Sequence, residues 1–570
     1  MKQWVLREKI SEGISKKLNI KPDIIRQFLF NKGIKTSREA EIFLNPDYKR
    51  DLHDPFEMLG MEKTVKRITS AIKKNERIVI LGDYDADGIC AAVVFYDFFG
   101  KIGFENFHIH IPDRHLDGYG LTFSAVDEFI KQKADVLVTL DCGITDFDEI
   151  DKTNSAGMDV IIIDHHLVPE KIPNAYAIVN PKQQGDKYPF KFLSGAGLAF
   201  KTICAIIQKG EFNIIPGWEK WLLDVVAIAT VADMVPLINE NRTLVFYGLK
   251  VLQKTQRPGL ISFYKKFGLS AQNINEDDLS FVVAPRINVA SRIDHATISF
   301  DLLTTESPEE AAWISNRLDI MNNERKDAVE KIMTEIDKNT LHKNDDIVVV
   351  GNTDWHPGVL GIAANKLLEK YNHPVFLWGK GAAKEIKGSC RSDGSVNLID
   401  FMRQLPKDMI GDFGGHALAG GFSMGAKDMG KFRNEILALY KKFPKHKVEN
   451  GVLYLDGKLS IDDVNWDFYS LIEKFRPFGV ENPRLIFELN DLEIEKVRKF
   501  GNNGVHLQLD FKKREGDAVS AVGFFMAKDN NFNLEPGRRV NLAASLEKNY
   551  FRNNSELRLR IVDVKLEDSD

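Results

Sequence analysis

The chain has 570 residues, of which 44% are hydrophobic and 28% are charged, and its formal net charge at pH 7 is −5. This length is enough for several domains, each with its own hydrophobic core. The slightly acidic balance excludes a protein that binds nucleic acid through an overall basic charge, so any such binding must come from local basic patches.

Two further features of the whole sequence bear on where the protein works. The four cysteines lie far apart and include no C-x-x-C pair, which predicts a reducing compartment and no structural zinc. The longest apolar run, around residues 225–232, is much shorter than the ~20 residues that a membrane span needs. Residues 1–13 also lack the apolar stretch of a secretory signal. We therefore predict a cytoplasmic protein with no membrane partner.

The amino-terminal half begins with a short polar region and continues as an α/β domain. Residues 1–60 are predicted to form an N-terminal helical cap interrupted by prolines. Residues 61–260 alternate between helices and apolar strands, the strands being predicted at 78–81, 107–111, 136–140 and 160–163. Apolar strands separated by helices predict a parallel sheet that is covered on both faces.

The first predicted strand runs into an acidic motif. Asp83, Asp85 and Asp87 occupy every second position and Gly88 follows, as in the D-x-D-x-D-G start of a calcium-binding EF-hand loop. The twelfth position of such a loop requires a glutamate, but this chain has Val94 there. A buried strand also precedes the motif where a calcium loop would have a helix. A calcium loop is thus excluded, and the three aspartates, projecting to one side of an extended backbone, indicate a metal site for chemistry.

Three further segments carry side chains suited to metal binding. Asp141 follows the strand at 136–140, the run DVIIIDHHL ends in Asp164, His165 and His166, and the run DVVAIATVADMVPL, interpreted as another strand, delivers Asp233. The carboxyl ends of parallel strands meet at one edge of a sheet, so these groups are predicted to lie together. Carboxylates with imidazole suit Mn²⁺ or Mg²⁺ better than a metal that prefers thiolates.

Each of these residues also has an ordinary interpretation. Asp141 could cap a helix, the paired histidines could belong to a polar loop, and Asp233 could be a solvated side chain. Their recurrence at the same structural place favours a shared site. So many carboxylates at adjacent strand ends would repel one another unless cations neutralised them.

The second half of the chain divides into three predicted regions. Residues 261–340 are expected to form a helical connector, since 308–338 carries apolar residues at helical spacing without an internal proline. Residues 341–445 have the pattern of a second α/β domain. Residues 446–570 contain short alternating strands with polar turns, which is typical of a small barrel of the OB type.

The motifs GDYDADG, DCG, DHH and ADMVPL occur in the order and rough spacing of the four motifs of the DHH phosphoesterase superfamily, which is named for residues 164–166. Within it, the chain resembles the RecJ family of bacterial single-strand-specific 5′-to-3′ exonucleases. That resemblance rests on RHLDGYGL (114–121), PRINVASRI (285–293), WHPGVLGIAANKL (355–367), GSCRS (388–392) and GGHALAGGFS (414–423). The motifs span nearly the whole chain, and the set is far more specific than any single member.

The resemblance implies a two-metal catalytic centre that holds Mn²⁺ or Mg²⁺. The implied metal ligands are Asp83, Asp85, Asp87, Asp141, His165 and Asp233. Asp141 would bridge the two ions, and His166 would orient its neighbour or contact the substrate phosphate. One departure separates this chain from the pyrophosphatase branch of the superfamily. Leu81 stands where that branch has a histidine, so Asp83 must supply the missing ligand.

The resemblance also implies contacts with the nucleic-acid substrate. The implied substrate-binding residues are Arg114, Tyr119, Arg286, Asn288, Arg292, His356, Ser389, Arg391 and His416. Arg114 would pair with a terminal 5′-phosphate, and Tyr119 would stack on a base. Surface turns, ordinary arginines, glycines that serve only packing and a histidine at the edge of the core remain alternatives for these motifs.

The expected function is a 5′-to-3′ exonuclease specific for single-stranded DNA that releases mononucleotides during DNA repair and recombination. The alternatives are a DHH oligoribonuclease or nucleotide phosphatase, which the carboxyl-terminal barrel disfavours, and a non-catalytic replication scaffold, which the retained carboxylates disfavour. The expected partners are single-stranded DNA, a single-strand-binding protein and a helicase. We expect the protein to be a monomer.

Overall fold

The structure is a computed structural model that describes residues 2–114, 117–338, 346–381, 386–406, 409–446, 451–501, 504–528, 534–551 and 554–566. The chain forms two compact units. One comprises Met1–Leu52, Met234–Tyr247 and Glu449–Asp570, and the other comprises His53–Asp233 and Gly248–Val448.

Strands and helices are numbered separately along the chain. The strands are β1 (Gln3–Leu6), β2 (Ile78–Gly82), β3 (Phe107–His110), β4 (Val136–Leu140), β5 (Asp159–Ile163), β6 (Ala177–Val179), β7 (Val348–Gly351), β8 (Val375–Lys380), β9 (Ile386–Arg391), β10 (Ile410–Gly415), β11 (Ala419–Met424), β12 (Val452–Leu455), β13 (Gly457–Lys458), β14 (Phe487–Phe500), β15 (His506–Phe511), β16 (Val519–Gly523), β17 (Arg539–Phe551) and β18 (Asn554–Leu566). The helices are α1 (Glu12–Leu18), α2 (Asp23–Asn31), α3 (Ser37–Leu44), α4 (Met61–Lys74), α5 (Ala86–Ile102), α6 (Phe123–Lys131), α7 (Phe147–Ser155), α8 (Gly195–Lys209), α9 (Leu223–Ala232), α10 (Asn239–Leu252), α11 (Pro258–Phe267), α12 (Glu276–Asp278), α13 (Ala284–Ile293), α14 (Thr297–Thr304), α15 (Pro308–Lys338), α16 (Pro357–Tyr371), α17 (Leu398–Met402), α18 (Met429–Lys442) and α19 (Trp466–Glu473).

The first sheet of the larger unit is wholly parallel, with the strand order β3-β2-β4-β5-β6. Every residue of β2 and β4 is buried, because helices cover both faces of a sheet built by strand–helix–strand connections. The chain first steps from β2 to β3 at one edge and then continues from β4 on the other side of β2. The sequence prediction of a parallel, doubly covered sheet is confirmed.

Two local predictions around this sheet are wrong. The chain does not stay extended through the acidic motif, because α5 begins at Ala86 and places Asp87 in its first turn. Asp233 does not end a strand either: it is the C-cap of α9, whose residues are almost all buried. An uninterrupted apolar run of this length fits a buried helix as well as a buried strand, and periodicity alone does not separate them.

The connector between the two sheets of this unit is helical, as predicted. PRINVASRI is one helix, α13, and the long predicted helix has the bounds of α15. Residues 279–283 continue directly into α13 as a π-helical turn. Helix α13 packs against α9 and α15, so its residues are held at a fixed position beside the carboxyl end of α9.

The second sheet of the larger unit has the order β10-β11-β9-β8-β7, in which only β7 and β8 are parallel. The glycine-rich motifs GSCRS and GGHALAGGFS lie largely in the antiparallel strands β9 and β11. Glycine weakens a strand, and it is found there where another group approaches the backbone closely. A Cβ at Gly388 would lie 2.0 Å from the ring of Phe422, so the close approach explains that glycine.

The smaller unit contains a closed barrel of the strands β14-β15-β16-β18-β17, with β13 added to β14. This closed five-stranded barrel is consistent with the predicted OB fold. Its core extends to the first helices of the chain, since Leu18, Ile25, Phe28 and Leu29 belong to the same buried cluster as barrel residues. Strand β1 pairs with β12 in parallel.

In the described part of the chain, none of the helices combines the length and the apolar composition that crossing a membrane requires.

Candidate metal centre and substrate cavity

The acidic residues gather at the carboxyl ends of β2, β4 and β5. Asp83 directly follows β2, Asp141 directly follows β4, and Asp164 directly follows β5. Strands β2 and β4 are neighbours, and the connections leaving them run to opposite sides of the sheet. In open parallel sheets, such a switch point forms the crevice in which ligands bind.

The first turn of α5 fixes the acidic motif. Asp85 caps this helix by accepting hydrogen bonds from the backbone N–H groups of Asp87 and Gly88, at 2.8 and 3.2 Å. The Asp87 carboxylate accepts the backbone N–H groups of Gly195 and Ala196, at 2.6 and 2.7 Å. These are the first residues of α8, whose amino-terminal end favours a negative charge. The two helix termini thereby hold Asp87 in a set orientation.

Asp141 lies at the middle of the group. It is only 2% exposed and has a positive φ of 62°. Its Oδ1 lies 3.1 Å from Nε2 of His165, and the same Nε2 lies 3.7 Å from Oδ2 of Asp233 and 3.8 Å from Oδ2 of Asp87. One imidazole therefore faces three carboxylates.

The ligand atoms form overlapping clusters in which all atoms lie within 4.8 Å of one another. One cluster contains Asp83, Asp85 and Asp141, and a second contains Asp87, His165 and Asp233. Asp141 also forms a cluster with the two histidines, so it is shared between the two sides of the site. The six ligands that the sequence predicts thus come together.

Burial shifts the ionisation of these groups strongly. It raises the pKa of Asp87 to about 7 and that of Asp233 to about 8, and neighbouring carboxylates add to both shifts. Burial likewise raises the pKa values of Asp83 and Asp141 well above their usual range. It lowers the pKa of His165 to about 3, and the charge of His166 acts in the same direction. His165 is therefore a neutral imidazole, the form that binds a metal.

Divalent cations fit this arrangement. Oδ1 of Asp83 and Oδ1 of Asp141 are buried and have no hydrogen-bond partner among the described residues. Burying a carboxylate without a partner is costly, and a metal ion is one of the few groups that offsets that cost. Carboxylate oxygens with one imidazole are ligands for Mn²⁺ and Mg²⁺.

His166 differs from His165 in its surroundings. Its Nδ1 lies 2.8 Å from Oδ1 of the buried Asp164, and the other oxygen of Asp164 accepts the N–H of Ile144. Burial lowers the pKa of His166, but the hydrogen bond and the charge of Asp164 outweigh this and hold the pKa above its ordinary value. Tyr119 Oη lies 3.4 Å from the same nitrogen.

Two cavities adjoin at this edge of the sheet. The metal-side cavity has a volume of about 360 Å³ and is lined by Asp83, Tyr84, Asp85, Arg114, Tyr119, His166, Ala232, Asn288, Ser291 and Arg292. The basic cavity has a volume of about 500 Å³ and is lined by Tyr84, Arg114, Gly118, Tyr119, Arg292, Pro357, Gly358, Leu360, Gly361, Lys387, Gly388, Ser389, Arg391, Gly415, Ala419, Gly420 and Gly421. Tyr84, Arg114, Tyr119 and Arg292 line both cavities, so the two cavities are neighbours.

Several predicted substrate residues line this space. Arg114, Tyr119, Arg292, Ser389 and Arg391 line the basic cavity. Asn288 lines the metal-side cavity and also accepts the backbone N–H of Ala86 at 2.8 Å, so it supports the acidic motif directly. Two residues of RHLDGYGL, His115 and Leu116, lie outside the described residues.

Three other predicted residues are not among those that line either cavity. Arg286 binds Asp319 and stacks on Phe267, with its guanidinium carbon 3.8 Å from the ring centre. His356 caps α16 by accepting the N–H of Gly358. His416 is exposed beside the end of β10.

Sequence reasoning missed some residues of the site. Tyr84 lies inside the acidic motif, and its ring centre is 5.0 Å from the guanidinium carbon of Arg114. An aromatic residue between two candidate metal ligands was the sequence feature that could have indicated its place in the site. Lys387 directly precedes GSCRS and lines the basic cavity. Asn180 and Lys182 donate to the backbone carbonyls of His166 and His165, a support that no local sequence pattern indicates.

Comparison with known proteins places family domains along the chain. The DHH family, N-terminal domain, matches residues 77–230, the DHHA1 domain matches residues 344–442, and the RecJ OB domain matches residues 455–563. The first of these spans includes most residues of the metal centre, and the second includes the β9–β11 wall of the basic cavity.

Curated whole proteins are similar to this chain over most of its length. The single-stranded-DNA-specific exonuclease RecJ of Bacillus subtilis is 32% identical over 558 residues, which cover 97% of this chain and 69% of that protein. RecJ of Haemophilus influenzae is 30% identical over 532 residues, covering 90% of this chain and 92% of that protein. The crystal structure of RecJ in complex with Mn²⁺ from Thermus thermophilus has a TM-score of 0.81 and 25% identity, and the match covers 100% of this chain and 80% of that one.

Proposed function

The chain belongs to the RecJ family of single-stranded-DNA-specific exonucleases, and from this premise we propose that it hydrolyses single-stranded DNA from the 5′ end, releasing 5′-mononucleotides. The observation that carries the proposal is the set of metal-ligand clusters around Asp141 and His165, together with the neighbouring cavity lined by arginines. In the cell, this activity would serve DNA repair and recombination.

Two divalent ions are assigned to the metal centre, either Mn²⁺ or Mg²⁺. Asp83, Asp85 and Asp141 would hold one ion, and Asp87, His165 and Asp233 would hold the other together with Asp141. The clusters within 4.8 Å support this division, and the related Thermus thermophilus structure contains Mn²⁺. When bound, such a pair activates water at neutral pH and neutralises charge on the attacking and leaving oxygens. The pyrophosphatase branch has a histidine ligand at the position of Leu81, and here Asp83 would supply a ligand in its place.

The residues around the ions would hold the scissile phosphate. The hydrogen bond and the charge of Asp164 favour the protonated form of His166, in which the ring would offer an N–H donor to a phosphate oxygen. The Tyr119 hydroxyl lies 3.4 Å from Nδ1 of the same histidine, so it would also lie near the phosphate. Asn288 keeps the acidic motif in place through Ala86. None of these residues needs to act as a nucleophile.

The basic cavity is proposed to bind the 5′ end of the strand. Arg114, Arg292, Lys387 and Arg391 converge there on a wall of small residues, which lets backbone N–H groups approach a phosphate. Phosphates occur in duplex and single strand alike, so the preference for single strands must be steric. We propose that the cavity admits one strand and is too narrow for a duplex.

The remaining parts of the chain receive roles in the same proposal. We assign residues 61–260 to catalysis, 341–445 to substrate binding and 446–570 to nucleic-acid binding by the barrel, with the N-terminal cap and the helical connector as supports. The protein would act as a monomer in the cytoplasm, on strands delivered by a single-strand-binding protein or a helicase.

The proposal is tested by the products from end-labelled single strands with each metal. A 5′-labelled strand should release labelled mononucleotide at the earliest time points, while a 3′-labelled strand should shorten progressively. Matched blunt duplex should resist, and both reactions should require Mn²⁺ or Mg²⁺. Early release of labelled mononucleotide from the 3′-labelled strand would show that the enzyme degrades from the 3′ end, contrary to the proposal. A marked preference for short RNA over long DNA would favour an oligoribonuclease instead.

A further inference from the structure

A second group of metal-ligating side chains lies on the edge strand of the parallel sheet, apart from the acidic residues that follow β2 and β4. His108, His110 and Glu128 each offer one ligand atom, and these atoms lie within 4.8 Å of one another. His108 and His110 are two residues apart on β3, opposite Val79 and Leu81 of β2. Residues two apart on a strand project from the same face. Glu128 belongs to α6 and lies beside the two histidines on that face.

The two imidazoles have the character of metal ligands. The Nε2 atom of His110 is buried and has no hydrogen-bond partner among the described residues. Burial lowers the pKa of both His108 and His110, against the opposing effect of the Glu128 carboxylate. Both rings are therefore neutral near pH 7, and no proton has to leave before a metal binds.

The carboxylate is oriented by a chain of hydrogen bonds. Gln132 donates to Oε1 of Glu128 at 2.8 Å, and Arg77 donates to the amide oxygen of Gln132 at 3.2 Å. Hydrogen bonds of this kind hold the ligands of metal sites in their binding orientation. The second oxygen of Glu128 takes part in none of the hydrogen bonds that the described residues make, and the side chain is exposed, so an ion has a path from solvent.

We propose that His108, His110 and Glu128 form a separate site for a borderline divalent transition-metal ion, and that Zn²⁺ matches it best. Two imidazoles and one carboxylate are a common zinc ligand set that leaves the fourth position to water. Hard ions such as Mg²⁺ prefer sites made of oxygen. The cysteine pattern gave no sign of this site, because its ligands are not cysteines and Glu128 lies 18 residues after His110, on a different element.

An ion at this site would tie together the two ends of a functional segment. Strand β3 ends at His110 and helix α6 begins at Phe123, and the residues between them include Arg114 and Tyr119 of the basic cavity. Coordination by one strand and one helix closes this segment into a loop with fixed ends. Zinc should therefore stabilise the fold and restrict the segment without taking part in hydrolysis.

The test measures zinc binding by the full-length protein in excess Mg²⁺, using equilibrium dialysis against ZnCl₂ after treatment with a chelator. Wild type should retain one more zinc ion per chain than His108→Gln, and Glu128→Gln should weaken that extra binding at least about tenfold. His110 is left in place because its ring packs on Phe129 at 5.2 Å. Because every variant keeps the acidic centre, the difference between proteins reports the proposed site alone.

Asp127→Asn is the matched control, since it removes the same charge from the neighbouring exposed position of α6, where Asp127 pairs with Lys152. This variant should bind zinc like wild type. Zinc should also raise the Tm of wild type and of Asp127→Asn by at least about 2 °C and leave the Tm of His108→Gln unchanged. Equal zinc content in wild type and Glu128→Gln, or an equal loss in Asp127→Asn, would overturn the proposal.

Discussion

Asp141 adopts a backbone conformation that few residues other than glycine adopt, with φ at 62°. The chain leaves β4 through this residue, and Gly143 follows with a φ of 105°. A Cβ at Gly143 would lie 2.4 Å from Oγ1 of Thr139, so the turn is tight on both counts. Backbone strain of this kind is found where it serves a site, and here it directs the shared carboxylate towards both ligand clusters.

Two substitutions at Asp141 separate its charge from its backbone. Asparagine keeps the shape and tolerates positive φ, whereas alanine removes the whole group. We expect Asp141→Asn and Asp141→Ala both to lower single-turnover hydrolysis by on the order of a thousandfold or more with either metal, because both lack the charge proposed to bridge the two ions. Single-strand affinity, measured by fluorescence anisotropy, should largely persist. Near-normal turnover of either variant would rule out the two-metal assignment.

Arg114 is the candidate for sensing the 5′ end. Its guanidinium lies over Tyr84 and lines both cavities, so it can form a charge-assisted hydrogen bond with a terminal phosphate. We expect Arg114→Ala to reduce the preference for 5′-phosphorylated over 5′-hydroxyl strands, measured as a ratio of kcat/KM values, while metal binding stays intact. Arg403→Ala, at an exposed arginine of the same unit, is the control. An unchanged ratio would show that Arg114 does not sense the 5′ end, and Arg391 would become the next candidate.

At the scale of elements, the amino-terminal end of α8 contacts two of the proposed metal ligands. Its first two N–H groups hold Asp87, and the backbone of Gly195 comes close to Asp141. A Cβ at Gly195 would lie 2.6 Å from Cβ of Asp141 and 2.8 Å from its Oδ1. One helix terminus thus positions a ligand from each cluster, and only glycine leaves room for both.

Two alanine substitutions in this turn test that arrangement. Gly195→Ala forces Asp141 to move, and a displacement of about 1 Å can cost on the order of a hundredfold in rate. Gly197→Ala is the matched control two residues later, where the nearest atom to a new Cβ is 3.4 Å away, an ordinary contact. We expect a loss of kcat in the first variant only, with unchanged far-ultraviolet circular dichroism in both. Equal activities would show that α8 does not constrain the centre.

The sequence predicted this edge of the sheet better than the elements around it. Asp83 and Asp141 follow apolar β-branched strands, whose pattern and position are readable locally. Asp233 was placed correctly but on the wrong element, because a fully apolar run carries no period that separates helix from strand. The sequence did not predict strands β9 and β11, because glycine is unusual in strands. Their glycines are needed where other side chains approach the backbone closely, as Phe422 approaches Gly388. Contacts of that kind arise only in the assembled fold.

At the scale of the whole molecule, the barrel has an exposed surface of aromatic rings beside an arginine. His506 is flanked by the rings of Phe500, Phe524 and Phe525, at 5.2, 5.4 and 4.7 Å between ring centres. Arg560 lies 5.3 Å from the ring of Phe524, and Phe525 is 74% exposed. Aromatic rings beside arginines bind the bases and backbone of single strands without sequence preference.

A double substitution on this surface is a sharper test than deleting the barrel. Deletion would uncover Leu18, Ile25 and Phe28, each of which contributes about 1.5–3 kcal/mol by burial. We expect Phe525→Ala with Arg560→Ala to weaken binding of long single strands and to reduce the salt slope by about 1. Hydrolysis of a very short oligonucleotide should change little.

The control for this surface is Trp466→Ala, at another exposed aromatic residue of the same unit. It should leave both the affinity and the salt slope at the wild-type values. If the double variant also keeps them, the barrel serves stability and not strand binding.

The pairing of β1 with β12 has a consequence for biosynthesis. Residues 3–6 find their partner only in residues 452–455, so a nascent chain must wait for some 450 further residues, or roughly 20–90 s at ordinary rates of translation. During that time Leu18, Ile25, Phe28 and Leu29, which are buried in the finished protein, have no barrel to cover them. These four side chains are therefore expected to remain exposed until the barrel strands have been synthesised.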